Sequence, residues 1–261
     1  MTPILVFDIE TVPDAEGLRR IWGLGPEVSE EAVVDLATQR RRQASGNDFL
    51  PAHVQRVVAI SCVLRSTEGL RVWSLGSSAD RERDIVQRFF DGVEKYTPQL
   101  VSWNGSSFDL PVLHYRALIH GIPGCCYWEQ GDGDRDFKFN NYISRYHARH
   151  TDLMDVLAGY VNRAWAPLHE VAQLCGLPGK LGMDGSQVYG AWKRGEIEAI
   201  RDYCETDVAN TYALFLRFQS IRGLLDPAAY AREVAVLREW IAAQPQPHWK
   251  QFLEMGSGYF S

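Results

Sequence analysis

Two carboxylates, Asp8 and Glu10, stand two residues apart in the otherwise apolar run Ile4-Leu5-Val6-Phe7-Asp8-Ile9-Glu10. Side chains two apart on a strand point to one face, so a strand here sets both acids side by side. Ionised together they repel and lose hydration, a penalty that a shared divalent cation removes. The alternative is a strand that is ending, with both acids facing water. Asp109 follows the turn cluster Asn104-Gly105-Ser106-Ser107 and precedes Leu110-Pro111, where a strand's carboxyl end passes into a helix. That is where open α/β sheets carry ligands, and equally an ordinary place for a helix N-cap. Tyr203 and Asp207 are four apart in a helical run, beside the apolar stripe Ile200, Cys204, Val208, Tyr212 and Phe215. A hydroxyl beside a metal-bound carboxylate orients an attacking water; the alternative is a tyrosine that packs and an acid that is solvated.

The elements that must position these groups follow from periodicity. Ile4–Glu10 reads as a buried first strand ended by Thr11-Val12-Pro13. From about 14 to 55 the chain turns helical and polar, an insertion expected to cover one sheet edge, with Arg40-Arg41-Arg42 as a solvated helix face. Val57–Leu64 and Leu70–Leu75 form a hairpin, so the first three strands make a meander. A helix from Asp80 carries Ile85, Phe89 and Val93 at four-residue spacing and stops at Thr97-Pro98. Leu100–Trp103 is a fourth strand, and the helix opening at Asp109 closes at Gly121-Ile122-Pro123-Gly124. Residues 125 to 150 are ambiguous. Helices follow over Asp152–Val161, Leu168–Cys175, about 196 to 222 and Ala228–Gln244, with an irregular tail after Pro245. The order predicts an α/β or α+β sheet fold.

The chain has 261 residues, 46% apolar and 23% charged, which excludes a disordered, collagenous or coiled-coil protein. A chain this long buries enough surface to need no structural metal or disulfide, so any metal must do chemistry. The five cysteines include the adjacent pair Cys125-Cys126 and no CxxC, and read as reduced thiols. No stretch of eighteen apolar residues and no basic leader occurs, so the expectation is a soluble cytoplasmic protein without membrane association. The net charge of −6 argues against coating nucleic acid by bulk positive charge, though not against gripping it locally.

Taken together, VFDIET, WNGSSFDLPVL and YCETD resemble, in order and internal spacing, the three exonuclease motifs of proofreading domains. The resemblance is to the DEDD-type 3′-5′ exonucleases of the ribonuclease H-like superfamily, in their tyrosine subclass. Within that subclass it points to the stand-alone relatives of family-B DNA polymerase proofreading domains. The histidine subclass would want His one residue before Tyr203, where this chain has Asp202. The resemblance covers about residues 1 to 220, including LHEVAQLCGLPGK and GMDGSQV. It implies a ribonuclease H-like fold, a mixed five-stranded sheet of antiparallel meander plus parallel strands flanked by helices. The exonuclease domain would span 1–225, with 226–261 a C-terminal helix and tail packed on or extending it; no polymerase palm or fingers fits in the remainder.

The same resemblance implies two divalent ions, Mg²⁺ or Mn²⁺, with Asp8 bridging both, Glu10 and Asp207 completing the first, and Asp109 holding the second largely through water. Tyr203 would position the nucleophile. The implied activity is hydrolysis at the 3′ end of single-stranded nucleic acid, DNA favoured and RNA allowed. Thr11, Asn104, Phe108, Arg145 and Lys180 are candidate substrate contacts. Three of them also have a plainer reading: Asn104 as a turn residue, Phe108 as core, and Lys180 as a solvated loop lysine. Residues 135 to 150, RDFKFNNYISRYHARH, interleave cations with aromatic rings, a mixture that suits unpaired strands but equally an edge strand with a cationic side. His147 and His150 lack a third ligand and read as surface histidines. Asp152 and Asp155 read as first-turn helix acids, with a supporting role at the site open to Asp152. Two other functions compete. One is a nuclease-like module that binds nucleic acid or a replication partner without cleaving. The other, a haloacid-dehalogenase-type phosphatase, needs Asp where Glu10 stands.

Overall fold

The structure, a computed structural model, describes residues 2–260. The chain begins with β1 (Ile4–Pro13), followed by α1 (Ala15–Trp22), α2 (Glu30–Ser45), β2 (Gln55–Ser66), β3 (Gly69–Ser74) and α3 (Glu82–Tyr96). Next come β4 (Gln99–Ser102), α4 (Asp109–His120), α5 (Cys125–Trp128), β5 (His150–Asp152) and α6 (Leu153–Leu157). The remainder is helical: α7 (Leu168–Leu174), α8 (Val188–Lys193), α9 (Ile197–Ile221), α10 (Pro227–Ala242), α11 (Pro247–Met255) and α12 (Ser257–Phe260).

One sheet of order β3-β2-β1-β4-β5 runs through the molecule. β1, β2 and β3 pair antiparallel, while β4 lies parallel to β1 and β5 parallel to β4. This mixed five-stranded sheet, an antiparallel meander plus parallel strands flanked by helices, is the arrangement that the resemblance implied. Along β1 the pleat sorts the side chains. Leu5, Phe7 and Ile9 join the core under α3 and α4, whereas Val6 joins the core that includes Val208, Ala209 and Tyr212 of α9. Asp8 and Glu10 share Val6's parity and therefore face α9. β1 runs past Glu10 because Thr11–Pro13 pair with Gln55–Val57 beyond a bulge between Glu10 and Thr11.

β4 touches β1 only from Ile4 to Val6, which leaves the carboxyl half of β1 with an open edge. β5 is three residues long and lies at 150–152, between the stretch left ambiguous through 150 and the helix expected from Asp152. His150 accordingly sits in the core, 3% exposed, with Nε2 2.8 Å from Ser102 Oγ, and is no surface histidine. Burial, with His114 adding and Asp155 opposing, lowers its pKa to about 4, so the ring is neutral. The ambiguous 125 to 150 stretch is mostly loop, nailed down by Tyr142, whose hydroxyl donates to Pro98 O at 2.6 Å and whose ring stacks on Tyr127.

The insertion does not cover a sheet edge. β1 runs directly into it and β2 returns to the same end of β1, so both its ends are tied there, with Asp14 N–H donating to Val54 O at 2.9 Å. α1 and α2 close over a small core of their own made of Leu18, Val33, Val34, Ala37, Leu50 and Val54. A buried Arg116 joins this insertion to the main body by pairing with Asp14 and with Glu82 of α3. Nor is the tail after Pro245 irregular. Pro247 takes the first turn of α11, where its missing N–H is harmless. Trp249, Phe252, Tyr259 and Phe260 are buried with α9 and α10. Among the described residues, no helix is long and apolar enough to cross a membrane.

Candidate active site

At the open edge of β1 three distant parts of the chain meet. Asp8 and Glu10 come from β1. Asp109 opens α4 and reaches across so that its Oδ1 accepts the Ile9 N–H at 3.2 Å. Asp109 is thus not a cap: the capping position is Phe108, whose side chain makes no capping bond. Asp207 and Tyr203 come from α9. Glu10, Asp109, Tyr203 and Asp207 are all buried, and Asp8 is half-buried.

Packing four acids this way disfavours their ionised forms. Burial pushes the Asp8 carboxyl well up, and Asp109, Glu10 and Asp207 push it further. Glu10 is raised by burial and by Asp207, with Lys180 opposing. Asp109 rises to about 7, chiefly from burial. Asp207 rises to about 6 from burial, tempered by Lys180 and the Tyr203 hydroxyl. Two further features bear on what the site accepts. Asp207 Oδ1 is buried without any hydrogen-bond partner, and one oxygen each of Asp8 and Glu10 lies within 4.8 Å of the other and of Cys204 Sγ. An orphaned, desolvated carboxylate oxygen amid like charges is the donor set that hard divalent cations take. The residues therefore fit a metal centre.

The resemblance did not mark Cys204, whose thiol points at the Asp8 carbonyl at 3.5 Å and at Asp8 Oδ2 at 3.7 Å. Burial, then Asp8 and Glu10, push this thiol strongly up, so it stays protonated. Asn210 also went unmarked. It continues the Tyr203–Asp207 face, and its side chain both donates to and accepts from Gly179. Gly179 holds φ at +68° with His169 packed against it; a Cβ there would lie 2.5 Å from His169 Nδ1. That locked turn delivers Lys180, whose ammonium stands 5.7 Å from the Tyr203 ring centroid. Lys180 is not a free loop lysine. The spacing 203, 207, 210 was the available signal for Asn210.

The remaining candidates divide. Thr11 sits half-buried just past the bulge, paired with Val57. Asn104 adopts φ +69°, which asparagine tolerates, and its Oδ1 is buried and unpaired. Phe108 packs on Phe49, ring centroids 5.1 Å apart. Arg145 is committed elsewhere, 2.7 Å from Asp155, with its guanidinium over Tyr160. Asp152 is a support: it accepts from the N–H groups of Asn104 and Ser106, both at 2.9 Å, and so shapes the loop that leads to Asp109. The second acidic cluster differs in kind. His248 of α11 presents Nδ1 to Asp202 at 3.3 Å and Nε2 to Glu205 at 3.6 Å. Burial opposes protonation there, but the two carboxylates outweigh it and raise the ring to about 9, which makes an ion clamp between α11 and α9.

Residues 47–255 match the family described as a predicted 3′-5′ exonuclease related to the exonuclease domain of PolB. Asp109, Tyr203 and Asp207 fall within the matched segment; Asp8 and Glu10 precede it. The chain is 27% identical over 136 residues to a DNA polymerase of Archaeoglobus fulgidus, an overlap of 51% of this chain and 17% of the polymerase. It is also similar to the structure of the family B DNA polymerase from Pyrobaculum calidifontis, at TM-score 0.47 and 19% identity, over 93% of this chain and 29% of that one. The chain thus spans under a third of the length of either polymerase. With four fifths of its length matched, it belongs to the family of predicted 3′-5′ exonucleases related to the exonuclease domain of PolB.

Proposed function

We propose that the protein is a metal-dependent 3′-5′ exonuclease acting on single-stranded nucleic acid, DNA favoured, through Asp8, Glu10, Asp109, Tyr203 and Asp207. One observation carries the reading. Four carboxylates from β1, α4 and α9 converge on one half-open site, and their pKa values rise because burial, and at Asp8 and Glu10 the neighbouring acids, outweigh what Lys180 and the hydrogen bonds to the site offset. Asp8, Glu10, Asp109 and Asp207 would hold two Mg²⁺ or Mn²⁺ ions, which when bound activate water and neutralise charge on the phosphate.

The chain's own groups have separate tasks in this reading. The Tyr203 hydroxyl, beside Asp207, orients the water that adds to phosphorus while the bond to the leaving 3′-oxygen breaks. Burial and the surrounding acids hold this phenol far above its ordinary pKa, so it acts as a neutral hydrogen-bond donor and acceptor. The leaving oxygen takes a proton, and the products are a nucleoside 5′-monophosphate and a shortened strand. Lys180 supplies the cation that faces the non-bridging phosphate oxygens. Asn104, whose side-chain Oδ1 is unpaired, is a contact for the terminal nucleotide.

The test is a digestion series of matched DNA and RNA oligonucleotides labelled at either end, with Mn²⁺ and with EDTA, alongside Asp8→Ala. Shortening from the 3′ end only with metal, lost in the variant, is expected. Full activity in EDTA or in Asp8→Ala would refute the assignment.

A further inference from the structure

Resting on that reading, we propose that a groove beside the carboxylates is a stacking subsite for the unpaired bases of a single strand, with Phe49 from the insertion as its main base contact. The groove has a volume of about 730 Å³ and lies between the α2–β2 connection, the β4–α4 loop and the 165 to 167 turn. Arg41, Asn47, Phe49, Asn104, Phe108 and Trp165 are among the residues that line it.

Three observations point to this occupant. First, the groove adjoins the site, since Phe108, which lines it, immediately precedes Asp109 in the chain. A strand whose phosphate lies at the acids has its neighbouring nucleotides within reach. Second, Phe49 is displayed rather than stray. Its neighbour Leu50 is buried in the insertion's core, while Phe49 remains 54% exposed on top of Phe108. Both backbone polar groups of Phe49 are held: its N–H donates to Asn47 Oδ1 at 2.9 Å, and its carbonyl accepts Arg41 Nε at 3.1 Å. A ring fixed this way gives a base a flat surface with little ordering left to do. Third, the polar groups around the rings suit a strand. The Arg41 guanidinium is cationic in a chain of net charge −6, and the side-chain Oδ1 of Asn104 lacks a partner. Bases paired in a duplex keep their faces stacked on one another, so the groove discriminates in favour of unpaired ends.

The experiment compares wild type, Phe49→Ala and Phe49→Trp on two labelled single-stranded DNA oligonucleotides. One is all thymidine; the other is abasic at its three 3′-terminal positions. Anisotropy in Ca²⁺ reports binding and digestion in Mn²⁺ reports KM and kcat. Wild type should favour the base-bearing strand by about tenfold. Phe49→Ala should bring that ratio close to one, mainly through KM, and Phe49→Trp should restore it. A ratio that Phe49→Ala leaves intact, or equal weakening on both strands, would overturn the subsite. If wild type cleaves neither strand, the exonuclease reading fails, while the anisotropy ratio still decides whether the groove binds bases.

Discussion

The Asp109 carboxylate accepts the backbone N–H of Ile9 across 100 positions of sequence, at the point where β4 has stopped covering β1. One bond thereby ties the opening of α4 to the strand that carries Asp8 and Glu10, and it holds an acid where its ionised form is disfavoured.

A pH dependence follows. Without cations Asp109 titrates at about 7 and Asp207 at about 6, against about 4 for an unfolded aspartate. Between those values the folded chain holds more protons than the unfolded one, so these groups take stability away as pH rises. Thermal unfolding in EDTA should show Tm falling from pH 5 to pH 8, with a shallower fall in Asp109→Asn. Equal slopes in the two proteins would contradict the linkage.

Divalent cations should reverse that loss. Mn²⁺ at a hundredfold over its Kd should stabilise the native chain by about 2.7 kcal/mol. Asp207→Asn, which alters the orphaned carboxylate, should lose most of the gain while folding normally in EDTA. The measurement is Tm against Mn²⁺ concentration; an undiminished shift in the variant removes Asp207 from the ligand set.

Tyr203→Phe keeps the buried ring and deletes only the hydroxyl. If that hydroxyl positions water, kcat should fall about 100-fold with KM little changed. Lys180→Ala should instead raise KM, because it removes a phosphate contact. The two variants assayed on one oligonucleotide separate the roles, and a pure KM effect in Tyr203→Phe would move the tyrosine to substrate binding.

Arg116 is 3% exposed and pairs with both Asp14 and Glu82, the link between the insertion and the body of the fold. Arg116→Met removes the cation the two buried acids share, leaving Glu82 with His120 and the Val57 N–H and Asp14 with the Gly17 N–H, and should destabilise by about 3–5 kcal/mol in chemical denaturation. Burial pushes Asp14 up, but the Gly17 N–H and Arg116 outweigh it and its pKa is lowered. Its contribution is therefore present above about pH 4 and lost as pH falls through the folded value. A loss under about 1 kcal/mol at neutral pH would show that the insertion is held by its own core instead.

Much of this protein is legible in its sequence, because local rules govern it. The two-residue spacing of Asp8 and Glu10 forces a shared strand face, and the four-residue spacing of Tyr203 and Asp207 forces a shared helix face. Apolar periodicity marks the first four strands and most of the long helices. What local pattern left open was decided by contacts between distant segments. Asp109 taken alone reads first as a helix cap; that its carboxylate takes the Ile9 N–H instead depends on β4 being too short to cover Ile9. Lys180 was an ordinary loop residue until Asn210 and His169 locked the Gly179 turn beneath it. Cys204 read as core, and only the approach of α9 to β1 set its thiol against Asp8. The tail read as irregular because the burial of Trp249 and Phe252 depends on a surface that α9 and α10 create together. Spacing along a chain dictates which side chains share a face; which faces meet, and how dry the meeting place is, depends on strand lengths and helix packing that no short window of sequence contains.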